Sequence, residues 1–209
     1  LFSDDEYRKL LRMGTGEIAR FMEETAYEDA VNELGARYSG VDLVEYALNA
    51  TLAKDFDALL RWSEGRLYEQ VARYLRKFDA WNVKTVLRGL YSESTADEIR
   101  TDLIDAGELD EDLLDRLVAA ESIEQVVELL DGTMFAPYLE PAFEDYEQTG
   151  TLVPLENAVD RAYYENLVPD SVGNRDSPQA LYAEFLQAEI DFRNVRNALR
   201  LARSGADVD

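Results

Sequence analysis

The chain of 209 residues contains no cysteine and no histidine. These two absences together remove disulfides, thiolate chemistry, Ser-His-Asp triads and the usual zinc and haem ligands. Carboxylates, Lys, Arg, Tyr and hydroxyls are what remain for catalysis. Lysine is scarce as well: Lys9, Lys54, Lys77 and Lys84 stand against seventeen Arg. No proline occurs before Pro137, so up to that point no helix is stopped by that route. Long apolar runs are also missing, and none approaches the roughly 20 residues that span a bilayer. The opening LFSDDEYRKL has no basic start and no apolar stretch, which argues against a signal peptide. It has no initiating Met, and SGADVD ends just past a helical pattern; the sequence is expected to be a piece of a longer polypeptide.

Acid is what the chain has in excess. Its 44 Asp and Glu outweigh 21 Lys and Arg, for a formal net charge of −23. That balance argues against nucleic acid or an anionic membrane surface as a direct partner. Hydrophobic residues make up 46%, enough to build a packed core and to exclude wholesale disorder. Dense acidity with Arg in place of Lys resembles proteins of salt-accumulating haloarchaea, where strong screening makes self-repulsion tolerable. On that reading the charge reports the solvent more than the partner.

The periodicity predicts helices throughout, near 4–13, 16–24, 26–35, 41–61, 65–91, 96–106, 110–119, 123–131, 134–149, 154–168 and 178–203. Ser3-x-x-Glu6, Thr25-x-x-Glu28, Thr95-x-x-Glu98 and Ser122-x-x-Gln125 have capping-box spacing. Pro154 and Pro178 suit first-turn positions, and PDSVGNRDSP at Pro169–Pro178 reads as the longest loop. No segment shows sustained strand-type alternation. The fold class is all-α.

Two helices carry the same phrase. FDAWNVKTVLRG (Phe78–Gly89) and IDFRNVRNALRL (Ile190–Leu201) both read Asp-x-x-Asn-Val-(Lys/Arg)-x-x-Leu-Arg. The shared residues are Asp79, Asn82, Lys84 and Arg88 in one copy and Asp191, Asn194, Arg196 and Arg200 in the other. EETAYEDAV at Glu23–Val31 lies over DGTMFAPYL at Asp131–Leu139, and VEYALNATLAKDF at Val44–Phe56 over LENAVDRAYYENL at Leu155–Leu167. The three matches keep their order, so an internal duplication is expected, with units 1–94 and 95–209.

In the first copy Val71, Leu75, Phe78, Asn82 and Val86 share one helix face, which puts Asn82 where apolar residues point. Ile190, Asn194, Ala198 and Leu201 repeat that face in the second copy, beside Phe185, Ala188, Phe192, Val195 and Leu199. Both helices are therefore expected to be packed over a wide arc. A buried Asn must find partners or cost about 1–3 kcal/mol; loop backbone or a helix terminus would satisfy it, and a bound ligand is the alternative. Arg193, Arg196, Arg200 and Arg203 form a basic stripe at 3-4-3 spacing. It either pairs internally with the abundant acids or faces an acidic partner subunit. No catalytic, cofactor or metal constellation emerges. Adjacent acids arise by chance in so acidic a chain, a di-iron bundle needs His, and RMGTGEI lacks the Lys and the preceding strand of a phosphate loop.

The motif helix is followed by IRTDLIDAGELDEDLLDRLVAAESIEQVVELLDGTMF, then by LENAVDRAYYENL. In that order these phrases resemble the C subunits of archaeal A-type ATP synthases, relatives of the d subunits of vacuolar ATPases, and the composition points to a haloarchaeal member. The resemblance implies a funnel-shaped, all-helical protein of three related units, of which this sequence carries two. It implies a non-catalytic, peripheral subunit on the cytoplasmic side of the cell membrane, without cofactor and without direct membrane insertion. The implied partners are the rotor-ring subunit on which it sits and the central-stalk subunits whose tip it receives, coupling ATP synthesis or hydrolysis to proton transport. A helical-repeat adaptor unconnected with any rotary ATPase is the competing expectation.

Overall fold

The structure, a computed structural model, describes residues 2–167 and 178–204. Along them run α1 (Asp4–Leu10), α2 (Thr15–Met22), α3 (Glu28–Leu34), α4 (Gly40–Trp62), α5 (Gly65–Tyr91) and α6 (Ala96–Thr101). Then follow α7 (Glu111–Val118), α8 (Ile123–Leu129), α9 (Ala136–Thr149), α10 (Val153–Leu167) and α11 (Pro178–Ser204). Among the described residues there is no strand, and the fold is all-α. Apart from Pro178, the loop expected at Pro169–Pro178 lies outside the described residues.

The helix starts follow local chemistry. Ser3 and Thr95 each accept from the backbone of Glu6 and Glu98, whose carboxylates reach back to the cap N–H. At Ser122 the exchange is incomplete, because the Gln125 side chain takes the Glu121 N–H at 2.9 Å instead. Thr25 caps no helix: α3 begins at Glu28, and the Thr25 hydroxyl donates to the Met22 carbonyl at 2.7 Å while accepting from the Tyr27 N–H. The same turn recurs 108 residues on, where the Thr133 hydroxyl donates to Leu130 and accepts from Phe135. α2 and α8 begin 108 residues apart, as do α3 and α9, and α5 and α11 are both 27 residues long.

α5 is the axis of the fold. Its C-terminal half places Val83, Val86 and Leu87 wholly inside a core shared with α7–α11, each worth roughly 1.5–3 kcal/mol of burial. Its N-terminal half puts Leu75 and Phe78 against Phe56 and Leu60 of α4 and against Ile104 and Ala106. A smaller cluster of Met22, Val31, Leu43 and Ala47 holds α2, α3 and α4 together. Gly89 lets α6 approach α5 closely, since a Cβ there would lie 2.3 Å from Ile99 Cγ1.

Several helices are shorter than the periodicity predicts, among them α1, which is expected to reach residue 13 and ends at Leu10, and α6 falls furthest short. α6 is expected to reach residue 106 and ends at Thr101, and residues 102–110 run as an irregular segment across α5. The cause lies in the motif helix. Asn82 takes the backbone groups of Ile104 that a continuing helix would need.

Candidate functional site

In the first copy of the motif, Asn82 has no exposed surface. Its Nδ2 donates to the Ile104 carbonyl and its Oδ1 accepts from the Ile104 N–H, both at 2.9 Å. One side chain thus satisfies both polar groups of one buried residue, as a β-ladder partner would. One turn earlier Asp79, 2% exposed, accepts from the N–H groups of Glu108 (2.9 Å) and Leu109 (3.0 Å). Burial pushes the Asp79 carboxyl up to about 6, against the pull of those two N–H groups. Gly107 lies under the carboxylate, and a Cβ there would fall 1.8 Å from Asp79 Oδ1. Arg76 pairs with Glu108 and closes the segment from outside.

The two basic residues of the motif reach α10. Lys84 pairs with Asp160 and Arg88 with Glu156, carboxylates one helical turn apart. Between these ion pairs Leu155 and Val159 are fully buried and Tyr163 is 3% exposed. Lys77 is half-buried; its ammonium donates to the Tyr74 hydroxyl at 2.8 Å and sits 4.0 Å from the centre of that ring. Burial pushes the Lys77 ammonium down, and the nearby Glu189 opposes this. The arrangement fastens an axial helix to a backbone segment and to a second helix. The Asp79 carboxylate faces backbone N–H groups.

In the second copy the expected wide packed arc is not met. The N-terminal half of α11 is seated: Leu186 is fully buried, and the Tyr182 hydroxyl donates to the Gln70 carbonyl at 2.9 Å. Beyond Ile190 the helix stands clear. Asp191, Asn194 and Ala198 are exposed, and so are Phe192, Val195 and Leu199. Periodicity marks this face as apolar, and no described element covers it. The basic stripe divides likewise. Arg193 turns inward, donates to the Tyr164 hydroxyl and lies 5.2 Å from that ring's centre. Arg196 and Arg203 are exposed. Arg200 belongs to α11, and its side chain, like that of Leu201, lies outside the described residues.

Sequence reasoning places Asn82 and misses four participants. Ile104, Gly107, Glu108 and Leu109 belong to the site through their main chain, which leaves no residue signature beyond the Gly. Among the described residues no group of three or more His, Cys, Asp or Glu is placed to hold a metal ion. Nor is any described helix long and apolar enough to cross a membrane.

The comparisons with known proteins bear on the whole length. A family model described as ATP synthase (C/AC39) subunit matches residues 1–209. The C subunit of the A-type ATP synthase of Halobacterium salinarum is 70% identical over 211 residues, covering 100% of this chain and 60% of the relative. That of Haloferax volcanii is 63% identical over 209 residues, again 100% of this chain and 60% of the relative. A methanogen relative, from Methanococcoides burtonii, is 37% identical over 209 residues, 100% of this chain and 57% of its own. The chain therefore spans about three fifths of the length of these relatives. The two haloarchaeal sequences match far more closely than the methanogen one, in keeping with the acid-rich, Lys-poor composition. The chain belongs to the ATP synthase (C/AC39) subunit family.

Proposed function

We propose that the chain is two stacked helical units, 1–94 and 95–209, of a non-catalytic subunit of an archaeal A-type ATP synthase. In this reading the full-length polypeptide sits peripherally on the cytoplasmic face of the membrane rotor ring. It receives the tip of the central stalk and carries torque between the two. The observation that carries the reading is the joint between the units. Asn82, Asp79, Lys84 and Arg88 tie α5 to residues 104–109 and to α10. A torque-bearing spacer needs its repeated units locked in one register, and a polar lock inside an apolar joint gives that selectivity. It needs no reactive group, and the polar residues of the joint are occupied in holding backbone and one another. The names of the relatives supply the complex in which such a spacer would work.

The test is co-isolation. Full-length polypeptide, tagged and recovered from membranes in high salt, is expected to bring down the rotor-ring subunit together with central-stalk subunits, identified by mass. Recovery of unrelated proteins alone would replace this reading with a helical-repeat adaptor.

A further inference from the structure

Carboxylates outnumber cations two to one in this chain, yet one cavity reverses the balance. It has a volume of about 400 Å³ and lies where α4 faces α5, α10 and α11. Lys77, Lys84 and Arg193 line it, and among the described residues Glu45 and Asp160 are the carboxylates that do. Two of the chain's four lysines thus stand on one cavity. Lys77, Trp81 and Lys84 follow 4-3 spacing, so they share one stripe of α5, neighbours about 5–6 Å apart.

The three cations differ in what holds them. Lys84 is paired with Asp160, and its side chain is 13% exposed. Lys77 and Arg193 have neutral partners. The ammonium donates to the Tyr74 hydroxyl at 2.8 Å, and the guanidinium donates to that of Tyr164. Aromatic rings complete their surroundings. The Lys77 ammonium lies 4.0 Å from the centre of the Tyr74 ring and 5.1 Å from that of Phe78. Ring contact holds a cation in place without cancelling its charge, as a carboxylate would. Glu189 acts on Lys77 from outside the cavity lining. An ammonium has three N–H donors and a guanidinium five, so among the described residues most of these donors are not taken up by protein oxygen.

The remaining walls are apolar and aromatic, with Leu52, Phe78 and Tyr163 beside a half-exposed Trp81. The Trp81 ring is fixed by its Nε1, which donates to the Asp102 carbonyl at 3.3 Å. Apolar walls with a few converging charges are the usual form of a small-molecule site. We infer that this cavity binds a small phosphate-bearing ligand. The phosphate group takes donors from Lys77 and Arg193, and a planar body attached to it, such as a nucleotide base, lies along Trp81. Lys84 stays with Asp160 and adds positive potential without contact. A ligand held in this way bridges α5 to the part of α11 that otherwise stands clear, and so stabilises the fold by mass action.

The test is equilibrium dialysis of the full-length polypeptide in concentrated potassium chloride, against labelled inorganic phosphate and against ATP. Chloride competes for the same cations, which makes saturable binding in its presence a stringent result. One equivalent of at least one probe is expected to bind and to raise the melting temperature. Binding of ATP alone would identify a nucleotide, and equal binding of inorganic phosphate would identify the free anion. Arg193→Gln and Lys77→Gln are each expected to weaken binding by more than about tenfold. Arg193→Lys should restore much of it, and Arg203→Gln, which removes an exposed cation of the same helix, should leave it unchanged. Arg193 lies outside the buried core, so the unliganded melting temperature of Arg193→Gln should match that of the parent. Absence of saturable binding by either probe would overturn the proposal. Binding that survives both glutamine substitutions, or that Arg203→Gln weakens equally, would overturn it too. Dialysis uses neither ring nor stalk, so its outcome is separate from that of co-isolation.

Discussion

Asn82→Ala is expected to destabilise the chain by about 2–5 kcal/mol. The side chain is the hydrogen-bond partner of both backbone groups of Ile104, itself only 8% exposed. The Ile104 carbonyl keeps a second donor, the Ala106 N–H at 2.9 Å, so the substitution orphans the Ile104 N–H alone. That costs about 1–3 kcal/mol, and the space left by the amide adds to this because the helix–segment joint collapses only in part. Asn194→Ala in the same chain is the internal control. That residue is exposed, so its substitution should change stability by less than about 0.5 kcal/mol. Chemical denaturation in concentrated salt checks both. Equal costs at the two positions would show that the amide of Asn82 is not what holds the segment.

Gly107→Ala is the other large expected effect, at about 3 kcal/mol or more. The new Cβ would stand 1.8 Å from Asp79 Oδ1 and 2.4 Å from its Cγ, inside a site where the carboxylate is held by two N–H groups. Overpacking of this kind costs roughly 1–3 kcal/mol, to which loss of the carboxylate's hydrogen bonds is added. Asp79→Ala alone should be milder, because burying the charge and satisfying two N–H groups offset one another. In the Asp79→Ala background Gly107→Ala should cost about 1 kcal/mol or less, a large non-additivity that identifies the clash. The native carboxyl also has a pH signature. In the folded chain it titrates near 6 against an ordinary 3.8, so between those values the folded state binds more protons than the unfolded one. Its contribution is present below about pH 4 and lost as pH rises through about 6, a change of roughly 3 kcal/mol. Asp79→Ala should flatten the stability profile over that window. An unchanged slope would show that Asp79 is ionised without penalty.

Much of this is legible in the residues, for identifiable reasons. α5 and α11 are long and strongly periodic, and the expected spans of 65–91 and 178–203 fall within one residue of those observed. Asn82 is readable as buried because it interrupts an apolar face at helical spacing. What captures it is not, since Ile104 contributes only main-chain groups that any residue has. The early end of α6 follows from the same fact: tertiary capture of Ile104 overrides a local helical preference. Thr25 carries capping-box spacing and serves a turn instead, because the helix begins three residues later than its side chain. The bare face of α11 carries the pattern of a packed one. Periodicity gives the direction of an apolar face and says nothing about which element lies against it.

The most direct measurement is ATP-driven proton uptake alongside ATP hydrolysis in high-salt inverted membrane vesicles. The full-length polypeptide would be stripped from these and then added back. A coupling spacer predicts that hydrolysis continues after stripping while proton uptake falls to background and returns on re-addition. Proton uptake that survives complete removal of the polypeptide would contradict a coupling role.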